Sequence, residues 1–148
     1  MKLFKLSIRT FRRRLASIDS MPQFAILGLA SGFLTGLVII AFRLAIEWPL
    51  DQLLEDGPES FETLDPVSAF SLPIAGALLL VAIFALLSKQ DRRVGVIHVI
   101  ERLARHQGHM PLRNAVVQFI TGVIALASGQ SGGREGPAIH LGAAGSSL

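Results

Sequence analysis

The segment Gly129-Gln130-Ser131-Gly132-Gly133-Arg134-Glu135-Gly136-Pro137 crowds four glycines around one acid. This pattern suits anion chemistry. Glycines reach backbone angles closed to other residues, so amide N–H groups can converge on one point. Pro137 fits the first position of a helix, where its missing N–H costs nothing and its fixed φ is already helical. Free amides and the helix dipole together form an anion site. Glu135 is itself an anion, and its carboxylate would hold that site until protonation or displacement released it. At membrane depth an ionisable side chain is costly enough to be a functional candidate by default. The bland alternative is a tight turn in which Glu135 caps the helix and pairs with Arg134, since glycine-rich turns before helices are common.

Other chemistries fit less well. His98, Glu101, His106 and His109 match no zinc spacing and read as solvated histidines on and beside a loop. Asp51, Glu55, Asp56, Glu59, Glu62 and Asp65 form an acidic stretch without EF-hand spacing, so a solvated external loop is expected. Ser131 and His140 have no orienting acid at a suitable spacing, which argues against a hydrolytic enzyme. Without cysteines, disulfides and thiolate metal sites are excluded. No metal or other cofactor is implied.

The elements that must position Glu135 are those of a membrane protein. Charged residues make up only 17% of the 148-residue chain, and its mean hydropathy is +0.53, which disfavours a soluble globule. Residues 1–20 interleave Lys2, Lys5, Arg9, Arg12, Arg13 and Arg14 with apolar residues, as in a basic amphipathic segment on an anionic membrane surface. Nucleic-acid binding competes for that reading, but a basic patch beside a span is more simply a topology signal. The domain proper then runs over 21–148. Its first span is Phe24 to Phe42, closed by Glu47, Trp48 and Pro49. Gly28, Gly32 and Gly36 line one face, for close packing in a bundle.

The second span, Val67 to Leu87, contains Pro73 and Gly76 and runs into Lys89, Arg92 and Arg93. Basic, acidic and basic flanks predict a multi-pass protein of the cell (inner) membrane with a cytoplasmic N-terminus. Gly95 to His106 is amphipathic, at the cytoplasmic side or partly re-entrant. Pro111 opens a helix whose apolar part, Val116 to Ala127, is too short for a perpendicular span. Short apolar helices that stop at glycine breaks are the broken or re-entrant kind that binds ions near the membrane midplane. The predicted fold class is therefore all-α and polytopic, with broken helices.

Gly133-Arg134-Glu135-Gly136-Pro137 resembles the Gly-Lys/Arg-Glu-Gly-Pro signature of the CLC family of chloride channels and chloride/proton antiporters. The glycine-bearing first span with Trp48, the second span, the segment from Gly95 and the helix from Pro111 follow in that family's order, from about Phe24 to Leu148. The resemblance implies the first part of an inverted-repeat membrane fold that functions as a homodimer. It makes Glu135 the gating glutamate, competing with chloride and in antiporters also carrying the proton. The amides from Gly133 through Gly136 and the helix that Pro137 begins would bind the anion. The family's other signature, Gly-Ser-Gly-Ile-Pro, corresponds to Arg93-Val94-Gly95-Val96-Ile97, so Val94 stands where a serine hydroxyl would meet the central anion.

Chloride or a related anion, protons and membrane lipid are the implied partners, and nucleic acid is not. The family's second half, with a further anion-binding helix end, a coordinating tyrosine and an intracellular-side glutamate, does not occur in this sequence. These residues alone are therefore not expected to form a competent pore. The alternative function is a non-transporting membrane scaffold or degenerate relative, favoured by Val94.

Overall fold

The computed structural model describes residues 21–54, 57 and 60–147. The basic segment 1–20 lies outside the described residues, as do Glu55, Asp56 and Glu59 of the acidic stretch. Five α-helices follow in order: α1 Met21–Leu53, α2 Pro66–Leu86, α3 Val96–His106, α4 Leu112–Ala127 and α5 Glu135–Ser146. A short 3-10 turn, Phe61–Thr63, precedes α2, and there is no strand among the described residues.

Helices α1 and α2 are long and apolar enough to cross a membrane. At 1.5 Å per residue the 33 residues of α1 run about 50 Å, which requires tilt to fit a bilayer. Its large apolar side chains face outward, Leu29 being 76% and Phe33 72% exposed, an arrangement suited to lipid and costly in water.

The first span was expected to close at Glu47-Trp48-Pro49, but α1 continues to Leu53. Phe42, Ile46, Leu50 and Leu54 recur every fourth residue and are all buried, so burial of this stripe sustains the extra turn. Pro49 removes one backbone hydrogen bond and is exposed, so its ring meets no packed neighbour. The stripe packs on Val99, Met110, Ala115, Leu141 and Ala144 to form the core, with Phe42 and Phe119 edge to face at 5.4 Å.

The expected glycine packing face is not used among the described residues, none of which lies within 4 Å of where a Cβ would sit on Gly28, Gly32 or Gly36. Close approach to α1 occurs instead at Thr35, against Gly142 and Gly145 of α5; a Cβ on Gly145 would stand 3.0 Å from Thr35 Oγ1. Helix α2 matches its expected span. Pro66 starts it, and the Asp65 carboxylate caps it by accepting from the amides of Val67 and Ser68 at 3.1 and 3.2 Å. At its other end Arg92 donates to the Leu87 carbonyl at 3.0 Å, a cation placed at a helix C-terminus. Gly76 of α2 meets Ser128 so closely that a Cβ would collide with the serine side chain.

Helix α4 buries a polar face: Asn114, Gln118, Thr121 and Ser128. Thr121 and Ser128 satisfy their hydroxyls on carbonyls of their own helix. Helix α5 packs against α1, α3 and α4, so the element that opens with Glu135 is the centre of the assembly.

Candidate functional site

The turn before α5 is built by the end of α4. Gly129 takes φ +74°, the Gln130 amide returns to the Ala125 carbonyl and the Gly129 amide to that of Leu126, each at 3.1 Å. This is a Schellman closure, and it requires a residue that tolerates the left-handed region. Phe61 seals it, since a Cβ on Gly129 would lie 2.9 Å from its ring. Gly132, Gly133 and Gly136, expected to use special backbone angles, do not adopt positive φ. Their surroundings are open. Nothing lies within 4 Å of a Cβ position on Gly136, and only the Glu135 nitrogen, at 4.0 Å, approaches that of Gly133.

The helix begins two residues earlier than expected. Glu135 is its first residue and Pro137 its third, with Ala138 making the bond back to the Arg134 carbonyl at 3.1 Å. Pro137 is tolerated there because amides of the first turn have no helical partner at any of these positions. Its ring packs over Gly122 of α4, where a Cβ would be 3.4 Å away. The amides of Gly133, Glu135 and Gly136 make no turn or cap bond to a backbone carbonyl. They lie at the positive end of the α5 dipole.

Glu135 is exposed at this helix start, and its carboxylate forms no hydrogen bond or ion pair. The alternative in which it pairs with Arg134 does not hold in the structure. Arg134 reaches across to Glu47 of α1, Nη1 to Oε1 at 3.5 Å, and Arg43 holds the same carboxylate at 2.7 Å. The Arg134 charge is thus engaged between helices, on Glu47 and not on the acid of its own segment.

Val94 and Gly95 are half-buried at the start of α3, where Gly95 takes φ +84°. Asn114 pins the turn before them: its Nδ2 donates to the carbonyls of Gln90, Asp91 and Arg93 at 3.0, 3.4 and 2.9 Å. Asp91 is buried, accepts from the Ser88 hydroxyl at 2.6 Å and pairs with Arg113 at 3.3 Å. The two candidate segments are joined by residues assigned no such role from sequence. His98 of α3, expected to be solvated, is buried. Its Nδ1 lies 3.1 Å from Nε2 of His140 on α5, and the rings are stacked with centroids 5.4 Å apart.

Their 42-residue separation hid the pair, because spacing along the chain reports only local metal motifs. Glu47 was missed for the same reason: its partner Arg134 lies far along the chain. Among the described residues no three His, Cys, Asp or Glu side chains converge as a metal site.

No curated protein and no solved structure matched the chain. The family described as voltage gated chloride channel matched residues 75–148, half of the sequence, from within α2 through α5; the first span lies outside that match. The matched half contains the Gly95 turn, the glycine segment and Glu135, and with it the all-helical architecture and two membrane-capable helices agree. The chain therefore belongs to the voltage-gated chloride channel family.

Proposed function

We propose that the chain contributes the external gate of a CLC-type anion transport path, with Glu135 as gating glutamate and the residues Gly133 through Pro137 as part of the anion site. The observation that carries this reading is the exposed, unpaired carboxylate at the first residue of α5, amid amides that make no turn or cap bond to a backbone carbonyl. A carboxylate and a chloride ion would compete for that positive helix end. Protonation removes the carboxylate's charge and with it the competition. In this reading the N-terminus is cytoplasmic, the acidic stretch faces outward and the working unit is a homodimer in the cell membrane.

The test is chloride flux by the native protein in liposomes. Glu135→Gln and Glu135→Ala should change the flux and largely abolish its response to external pH. Unaltered flux and pH response in both variants would remove Glu135 from the mechanism. The second reading, a membrane scaffold that keeps the helices without transport, is favoured by half-buried Val94, which offers no hydroxyl to a central anion. Wild-type liposomes without chloride flux would support it.

A further inference from the structure

His98 and His140 form a buried polar contact that the gate reading does not use. His140 is 0% exposed, and its Nδ1 has no hydrogen-bond partner. Burying two imidazoles among apolar helices is costly unless their nitrogens are satisfied. The contact joins α3, about one helical turn after Val94 and Gly95, to α5, five residues beyond Glu135. It is thus a crosslink between the two segments that bear the family's anion signatures.

Proton count governs this link. The facing atoms, His98 Nδ1 and His140 Nε2, bond only when one bears hydrogen and the other a lone pair. A neutral pair meets that condition. One extra proton also meets it, because the charged ring then donates to the neutral one through a stronger bond. With two extra protons both facing nitrogens bear hydrogen, both rings are cationic, and the contact becomes repulsive. The proton has a way in: His98 lines a cavity of about 440 Å³ shared with Asp91, Glu101, Arg102 and Arg113.

Each helix packed around the pair carries charged side chains. Helix α1 bears Arg43, Glu47 and Asp51; α3 bears Glu101, Arg102 and Arg105; α4 bears Arg113; and α5 bears Glu135. Glu47 is engaged by Arg43 and Arg134, Glu101 by Arg93, and Asp91 by Arg113. Asp91 and Glu101, the carboxylates that line the cavity, are thus each paired with an arginine.

We infer that the His98–His140 bond is a positioning contact, holding the Gly95 turn and the Glu135 helix start at their working separation, and that a second proton on the pair forces them apart and closes transport in acid. The inference rests on the proposed gate, and it adds an acid limit independent of Glu135. His140→Gln separates titration from structure, because glutamine can donate or accept at this place but takes no charge.

Two measurements test it on the native protein. Imidazole nitrogen NMR of wild type should show the two rings titrating in two distinct steps, with the shared-proton signal lost in the second. Independent single titrations like those of solvated histidines would overturn the inference whatever the flux shows. In liposomes, Glu135→Gln, though largely insensitive to external pH, should retain a fall in flux of up to about tenfold per pH unit when the internal face, toward which the His98 cavity lies in the proposed topology, is acidified and the second proton binds. The double variant Glu135→Gln, His140→Gln should transport without that fall. A pH-independent Glu135→Gln protein would overturn the inference and leave the gate standing. An acid fall unchanged by His140→Gln would overturn it as well. If instead Glu135→Gln behaves as wild type, the gate reading fails while the NMR still decides whether the pair shares its proton.

Discussion

Asn114 offers the sharpest test of how the fold holds the Val94–Gly95 turn. Its side chain is buried, and Nδ2 donates to three carbonyls of the turn, two of them at 2.9 and 3.0 Å and one at a weaker 3.4 Å. Replacing it with leucine keeps the approximate volume and deletes all three. At about 1 kcal/mol net for each of the two well-placed bonds, the turn loses about 2 kcal/mol. Gln90 and Arg93 are exposed residues, so water can reach their carbonyls once the asparagine is gone and the larger penalty for a stranded acceptor does not apply to them. The Arg113–Asp91 pair remains but has an exposed arginine, and adds about 1 kcal/mol at most.

Two kcal/mol of local stability corresponds to about a thirtyfold rise in the open population. Hydrogen exchange of the native protein in micelles reads this directly, because the Asp91 and Arg92 amides are bonded to the Ser88 carbonyl and should be protected. Asn114→Leu should speed their exchange about thirtyfold and leave α1 unchanged. Asn114→Asp should do more, since it turns an anionic oxygen toward three carbonyl oxygens. Exchange within about twofold of wild type in both variants would refute the anchoring role.

Other expectations follow from single contacts. Gly145→Val should cost about 1–3 kcal/mol by overpacking against Thr35 Oγ1, 3.0 Å from its Cβ position, seen as a lower thermal midpoint that Thr35→Ala partly restores. The Asp65 carboxyl is held below its ordinary value of 3.8 by hydrogen bonds from Ser68, side chain then backbone, and from the Val67 amide. Its folded pKa being depressed, the stabilisation is complete above 3.8 and is lost as pH falls through the lower folded value. Asp65→Asn should therefore flatten the acid end of the curve of thermal midpoint against pH. Val94→Ser should alter the anion selectivity series of the transporting protein, and an unchanged series would count against aligning Val94 with the central site.

The parts of the fold that were legible in the sequence are those written in local pattern. A charge-free apolar run bounded by Asp65-Pro66 and by Lys89, Arg92 and Arg93 defines α2 nearly to the residue, because cap and cations mark both ends. Pro111 likewise marks the start of α4. The end of α1 was missed because Pro49 is a local stop signal, whereas Leu50 and Leu54 continue a buried stripe whose value depends on α4 and α5 arriving opposite it. The glycine segment was legible as a turn before a helix, but its mechanics were not. Only Gly129 is needed for its torsion angle; Gly136 has ordinary helical backbone and open surroundings. The His98–His140 and Arg134–Glu47 contacts were out of reach because each depends on which helix faces share the core.

In the proposed mechanism the moving part must be small. Helix α5 is held on three sides: Gly142 and Gly145 against Thr35 of α1, Pro137 against Gly122 of α4, and His140 against His98 of α3. Swinging the helix would open packed contacts at Gly145 and Gly122, where the clearances are those of touching atoms, and would strand a buried imidazole. Rotating the Glu135 side chain breaks no hydrogen bond or ion pair, since it makes none. The neighbouring Arg134 is unsuited to follow it, being drawn toward Glu47 on another helix. A rigid cradle with one unencumbered carboxylate is the arrangement in which protonation of a single group can change access to the anion site while the helices stay where they are.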